Sequence, residues 1–333
     1  MEKNWIRRLL LWPLVAALLA VVASAALPER LTPVGRTVGI RLESDGLVVV
    51  GFEETRSAAR DAGLKMGDTI KRVNGEDVDS CERFKMLAAA AGGEPLKLEL
   101  LRDGKTVEAV VQPEQDGETY RLGLMLRDGM AGIGTVTFYD PDTGLYGALG
   151  HGVNELQSMV LLPLAYGEIL PSQVVEVQKG EGGAPGILKG AFDVEERLGE
   201  VDANTCHGIF GKADEALSDD APISVASAGE VHTGSATILS NVEGDKVESF
   251  TVEITKLFPA GQDMGRNLLL TITDPRLLQA TGGIVQGMSG SPILQDGKLI
   301  GAVTHVLVDN PAQGYGIFIE NMLESCPAYC EAA

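Results

Sequence analysis

The chain has 333 residues, a formal net charge of −20, 44% hydrophobic residues, 41 glycines and only 5% aromatics. That length exceeds one ordinary core and predicts about two domains with extra segments, and the acidic balance excludes a nucleic-acid surface, which needs clustered Lys and Arg. Abundant glycine with few long helical periodicities predicts many turns and short strands, hence a mainly β fold rather than a helix bundle.

At the N-terminus Lys3, Arg7 and Arg8 precede an uncharged run from Leu9 to Leu27. Such a run is long enough to cross a bilayer as a helix, and basic residues before it keep the tip cytoplasmic and put the rest outside. Ala23-Ser24-Ala25 offers a small-residue cleavage site, so a removed signal peptide competes with a retained anchor. The run is longer than a usual signal-peptide core, which favours the anchor. Residues 1–30 are therefore expected to be a cytoplasmic tip and transmembrane signal anchor, with the folded part extracytoplasmic, membrane-tethered or released after cleavage.

A first module is expected over residues 31–115. Ala58, Ala59 and Ala62 predict a short helix ended by Gly63; Gly67-Asp68 turns the chain, Ile70 and Val73 begin a strand, and Asn74-Gly75 turns it back. Glu82 to Ala91 reads as a second helix, and Leu96 to Arg102 with Val107 to Val111 as a hairpin around Asp103-Gly104. This order resembles a PDZ domain, an α+β fold that adds an extended peptide to a sheet edge. By the same resemblance the peptide-binding loop is expected at Gly35, Arg36, Thr37, Val38, Gly39 and Ile40. A PDZ module that only packs against its neighbour is the competing reading.

From about Tyr120 to the end (residues 116–333 as a domain) short apolar runs recur with Gly and Asp turns: Ile133 to Phe138, Met159 to Leu164, Gln173 to Val177, Ala236 to Leu239, Ser249 to Ile254, Leu268 to Ile272, Leu299 to Val306 and Tyr315 to Ile319. Strands at this spacing predict a barrel or sandwich, and a pair of β-barrels would suit. The four cysteines, Cys81, Cys206, Cys326 and Cys330, define no clear disulfide framework and no zinc-ligand spacing. No metal or cofactor is expected.

The chemistry-bearing stretch is Gly287-Met288-Ser289-Gly290-Ser291-Pro292. A serine between glycines can sit on a tight turn with its hydroxyl exposed, while the N–H groups of Gly287 and Ser289 converge on a developing oxyanion. The loop resembles that of chymotrypsin-like serine peptidases. A serine needs a base, and histidine serves near neutral pH. Of four histidines, His151 stands between glycines where an imidazole can be exposed; His207 follows Cys206, His232 lies in a polar stretch, and His305, in apolar Ala302 to Leu307, reads as a packed, hydrogen-bonded core residue.

Tyr146 to Gly152, Arg127 to Asp140, Thr273 to Leu278, the Ser289 loop, Gly301 to Val306 and Gly314 to Leu323 together resemble the SpoIVB peptidases of endospore-forming bacteria. The resemblance covers membrane segment, PDZ module and β-barrel peptidase domain in order. It implies Ser289 as nucleophile, His151 as base and Asp274 as the acid orienting the imidazole. Asp274 lies only 15 residues before Ser289, and Asp-Pro is also a turn former, so Asp193 and Asp202 stay as alternatives. The resemblance further implies self-cleavage in trans and cleavage of the extracytoplasmic part of a membrane-bound regulator of an intramembrane metalloprotease, between forespore and mother-cell membranes, triggering sigma-factor maturation in sporulation. Two rivals are a catalytically inactive, membrane-tethered PDZ adaptor and a Cys206–His207 thiol peptidase; the second fails because adjacent side chains seldom meet as nucleophile and base.

Overall fold

The computed structural model describes residues 27–54, 56–117, 119–155, 159–258 and 265–330. The expected membrane anchor therefore lies outside the described residues, among which no helix is long and apolar enough to cross a membrane.

Strand β1 (Arg30–Pro33) leads into β2 (Thr37–Phe52). The chain then forms helix α1 (Ala58–Asp61), β3 (Thr69–Val73), β4 (Glu76–Asp77), helix α2 (Cys81–Ala90), β5 (Leu96–Arg102), β6 (Lys105–Val111), β7 (Glu114–Asp116) and β8 (Thr119–Arg121). Local signals explain these elements. Ser57 and Ser80 cap the two helices by accepting the N–H of Arg60 and Arg83. Asn74-Gly75 and Asp103-Gly104, all at positive φ, close two-residue hairpins of the twist that suits antiparallel strands. Leu47, Val49, Ile70, Val73, Phe84, Leu96, Leu98 and Leu100 bury a core of their own.

The chain returns as β9 (Leu124–Tyr139), then β10 (Leu145–Ala148), β11 (Leu164–Gln178), β12 (Ile187–Phe192), β13 (Gly199–Thr205), β14 (Gly208–Ala213) and β15 (Ile223–Ser224). The pairings β9–β10, β10–β14, β14–β13, β13–β11, β11–β2 and β2–β9 close a ring. This first barrel is filled by Val38, Ile40, Leu42, Val136, Tyr146, Ile169 and Ile209; the Tyr146 hydroxyl donates to the Glu200 carbonyl at 2.9 Å, so its polar end is satisfied. A second closed barrel follows from β16 (Gly234–Glu243), β17 (Lys246–Leu257), β18 (Leu268–Ile272), β19 (Pro292–Gln295), β20 (Lys298–Leu307) and β21 (Asn310–Phe318). Helix α3 (Pro275–Thr281) precedes the Ser289 loop, and α4 (Ile319–Glu324) and α5 (Pro327–Cys330) end the fold. Phe138 and Phe210 of the first barrel meet Leu299 and Ile317 of the second, with Met322 of α4, in a shared apolar seam.

Two expectations are corrected here. Gly35 to Ile40 is not a peptide-binding loop: Val38, Gly39 and Ile40 are paired to β9 on one side and β11 on the other, so that strand has no open edge. A Cβ on Gly39 would stand 2.8 Å from the Phe192 ring. The division after residue 115 also fails to separate two bodies, because β2 supplies a barrel strand before entering the first module and β9 leaves the module to become the next. The module is an insertion between two neighbouring barrel strands. Of the run expected from Met159 to Leu164, the residues before Leu164 form no strand; an isolated Asn154–Leu161 bridge and the Leu162 N–H donating to Val153 O tie them down.

The inserted module rests on one buried ion pair. Arg102 Nε and Nη2 each donate to the Asp68 carboxylate at 2.6 Å, and Asp68 is 1% exposed and also accepts the Lys65 N–H at 2.8 Å. Arg102→Ala leaves that carboxylate buried and unpaired, which costs about 3 kcal/mol. Urea unfolding followed by hydrogen exchange in residues 64–102 should show the loss, and an unchanged midpoint would contradict the pair's role.

Candidate active site

The Ser289 loop is built by its neighbours on both sides. Asp274 caps α3 by accepting the Arg276 N–H at 2.9 Å, Pro275 opens the helix, and Gly282 at φ 75 ends it. The chain then crosses Gly283 to Ser291 as successive turns: Met288 N–H donates to Val285 O at 3.1 Å and Ser291 N–H to Met288 O at 2.9 Å. Met288 points fully buried into the second barrel's core. Gly287 and Gly290 hold φ of 101 and 97, a region that favours glycine. At Gly290 a Cβ would also lie 2.0 Å from the Thr135 carbonyl oxygen, so this position admits no side chain.

His151 comes from the first barrel. After β10 the backbone turns through Leu149 and Gly150, both at positive φ, and a Cβ on Gly150 would meet Thr304 Cγ2 at 2.9 Å. The turn is thus pressed onto β20 of the second barrel. The two loops are joined by Thr135 of β9, which is fully buried. Its N–H donates to Ser289 O at 3.0 Å, its hydroxyl donates to Gly287 O at 2.8 Å, and its carbonyl accepts the Leu149 N–H at 3.1 Å.

Ser289, His151, Gly287, Thr304 and His305 line one cavity of about 450 Å³ at the junction of the barrels. Ser289 Oγ donates to the Thr304 carbonyl at 2.8 Å. His151 Nδ1 lies 2.9 Å from the Gly152 carbonyl oxygen, which can only accept, so the proton sits on Nδ1 and the Nε2 lone pair is free. Burial lowers the His151 pKa from its usual value, with the Gly152 carbonyl opposing. Among the described residues neither the Gly287 N–H nor the Ser289 N–H has a hydrogen-bond acceptor, so both donors are available to a ligand.

His305 departs from the expectation of a satisfied core residue. It is half-buried in the cavity, its ring centroid is 5.2 Å from that of His151, and its Nδ1 is buried without a hydrogen-bond partner. Burial first, then His151 and Arg266, push its pKa down to about 4. The hidden signal was register: one extra residue in β20, Thr304, between the Val303–Gly316 and His305–Tyr315 pairs breaks strict pairing with β21 and re-aims the side chain.

Asp274 is not brought to this cavity. Arg276 donates to its carboxylate through Nε at 3.2 Å and Nη2 at 2.9 Å, the Thr251 N–H adds a contact at 3.3 Å, and Arg276 holds its pKa down at about 2. Asp193 and Asp202 are exposed and do not line the cavity either. Among the described residues no carboxylate hydrogen-bonds His151. The Cys206–His207 pair is also apart in function, since His207 Nδ1 meets Ser325 Oγ at 2.6 Å. All four cysteines are free thiols.

The sheet edge sought at Gly35 to Ile40 occurs elsewhere. Leu124 to Arg127 of β9 pair with β2 on one side only, and α2 packs beside them, its Cys81 N–H donating to Asp128 Oδ2 at 2.9 Å. Just before this edge the Leu122 and Gly123 N–H groups have no acceptor among the described residues, and Gly123 is at φ 66.

Two outcomes follow from this geometry. Thr135→Val keeps the shape but leaves the buried Gly287 carbonyl unpaired, costing about 1–3 kcal/mol; thermal unfolding should register it, and peptide hydrolysis should fall because Gly287 is released. Asp274→Asn keeps a good helix cap, so its activity should stay within about tenfold of wild type, whereas an acid that orients the base would lose about 10⁴. Steady-state kinetics on the folded variant separates the two.

The chain is 32% identical over 111 residues to the zinc metalloprotease RasP of Geobacillus kaustophilus, a stretch that is 32% of this chain and 23% of that protein. It therefore spans under a quarter of that relative's length. An inactive form of Rv3671c from M. tuberculosis aligns over 61% of this chain and 83% of its own at 13% identity, TM-score 0.36. The PDZ domain of an SdrC-like protein from Listeria monocytogenes aligns over 25% and 87% at 22% identity, TM-score 0.22. Residues 118–323, well over half of the chain, match the family described as SpoIVB peptidase S55, and the chain belongs to that family of peptidases.

Proposed function

We propose that the chain is a serine endopeptidase in which Ser289 is the nucleophile, His151 the general base and the Gly287 and Ser289 N–H groups the oxyanion hole. The observation that carries this reading is the convergence of a hydroxyl, an imidazole with a free Nε2 and two unpaired N–H donors on one cavity. Rotation of the Ser289 side chain away from Thr304 O brings its hydroxyl toward Nε2. His151 takes the proton as Oγ attacks the peptide carbonyl, the two N–H groups receive the oxyanion, and His151 returns the proton to the leaving amine. Water then repeats the sequence on the acyl-enzyme. The Gly152 carbonyl fixes the imidazole tautomer in the role a carboxylate has in other triads, and being neutral it stabilises the imidazolium less.

Family membership supports the further reading that this is a sporulation peptidase acting outside the cytoplasm, on itself in trans and on the extracytoplasmic part of a membrane-bound regulator of an intramembrane metalloprotease. The stretch shared with RasP supports a place in a proteolytic relay. The open strand edge at Leu124 to Arg127 beside α2 supports recruitment of an extended peptide by strand addition.

Ser289→Ala should lose several orders of magnitude in peptide hydrolysis, and wild type incubated with that variant should cut it, the new N-termini being read by sequencing. Undiminished hydrolysis by the variant would end the assignment. A base works only when neutral, and burial holds the His151 pKa below 6.5. Activity is therefore full at pH 7, and the acid limb of kcat/KM should fall below pH 6.5; a limb above pH 7 would exclude His151 as the base.

A further inference from the structure

The cavity beside Ser289 has a composition unlike the rest of the molecule. The chain carries 27 basic and 47 acidic residues, yet among the described residues no Asp, Glu, Lys or Arg lines this cavity. Ile40, Leu42, Met130 and Ile133 form its first-barrel wall, and Ile284 and Val285, immediately before the Ser289 loop, its second-barrel wall. Its volume of about 450 Å³ falls in the range of formed ligand sites. The apolar surface continues outward, since Met159 at the cavity and the following Val160 and Leu161 are exposed at 69%, 38% and 36%.

We propose that this cavity is the specificity pocket for the residue on the acyl side of the scissile bond and that it takes an uncharged, apolar side chain of the Leu, Met or Phe class. The inference rests on the serine-peptidase reading. An acyl carbon within reach of Ser289 Oγ and of the Gly287 and Ser289 N–H donors has its side chain at the mouth of this cavity, because the same three groups line it. A charged side chain entering would lose water and find no opposite charge on the residues that line it. The polar atoms inside, Thr304 Oγ1 and His305 Nδ1, are buried without partners and belong to neutral groups. Apolar walls discriminate by roughly tenfold or more per methylene, and Met130 and Met159 adapt to side chains of different shape.

The test uses N-acyl dipeptidyl phosphonate diphenyl esters bearing the side chain of Leu, Phe, Lys or Asp at the phosphorus-linked residue, with covalent labelling of Ser289 followed by mass spectrometry. The Leu and Phe probes should label at least about 100-fold faster than the Lys and Asp probes, the order of selectivity that such pockets reach. Met159→Asp, at a position 69% exposed on the rim of the cavity, should slow the Leu probe and raise the Lys probe about tenfold or more relative to it. A small fluorophosphonate serves as control. If it labels Ser289 while the four peptide probes react equally or not at all, the pocket assignment falls alone. If neither it nor any peptide probe labels Ser289, the serine-peptidase reading falls, and the pocket assignment with it.

Discussion

The site depends on Thr135. One fully buried residue uses its N–H, its carbonyl and its hydroxyl to hold the Ser289 loop and the His151 turn, two segments more than a hundred residues apart in sequence. Hydrogen bonds in a dry interior are stronger than in water and costly to leave unmade, so each of the three fixes one loop against the other. Thr135 sits on β9, which also pairs with β1, β2 and β10. The position of a loop in the second barrel is thereby referred to a strand of the first that is itself held by three others. The apolar seam of Phe138, Phe210, Leu299 and Ile317 keeps that reference dry.

Charge is distributed to match. Among the described residues the cavity walls carry no carboxylate. The consequence for His151 is a neutral, desolvated imidazole whose Nδ1 proton is held by the backbone. The acid that the resemblance assigns to it is occupied 15 residues before Ser289, where Asp274 binds Arg276 and starts α3. That helix ends directly in the Ser289 loop, so Asp274 supports the site through the backbone rather than through the imidazole.

Much of this was legible in the sequence where the signal is local. Asn74-Gly75 and Asp103-Gly104 gave their hairpins, Ala58, Ala59 and Ala62 before Gly63 the first helix, and the glycines around Ser289 and His151 the two turns. Strand spacing pointed to a barrel or a sandwich and left the choice between them to the pairing. What the sequence hid is long-range pairing. Nothing local in Val38 to Leu42 distinguishes a strand closing a barrel with Gly167 to Leu170 from one opening a peptide groove, because both are short, apolar and preceded by glycine. The Leu122-Gly123-Leu124 segment carries the groove's signature just as well, but its strand partner lies more than seventy residues earlier. Asp274-Pro275 illustrates the reverse case: a capping residue followed by proline is a strong local helix signal, and it outweighs the role that resemblance assigns. His305 was hidden by an irregular register that no alternation of residues reveals.

The continuous ribbon of β2 and β9 has a metric consequence. Register runs from Phe52–Leu124 in the inserted module to Thr37–Thr135 beside the Ser289 loop, shifting between Glu43 and Val48 and between Val49 and Gly51, while β9 itself is one unbroken strand. From Leu126 to Thr135 the strand covers nine steps, roughly 30 Å at about 3.3 Å per residue. The effective concentration of a chain held at the module's open edge is therefore governed by a stiff spacer rather than by the wandering of a linker. A peptide shorter than about nine extended residues cannot occupy both places at once, so the length of a substrate, as well as its side chains, becomes something this molecule can measure.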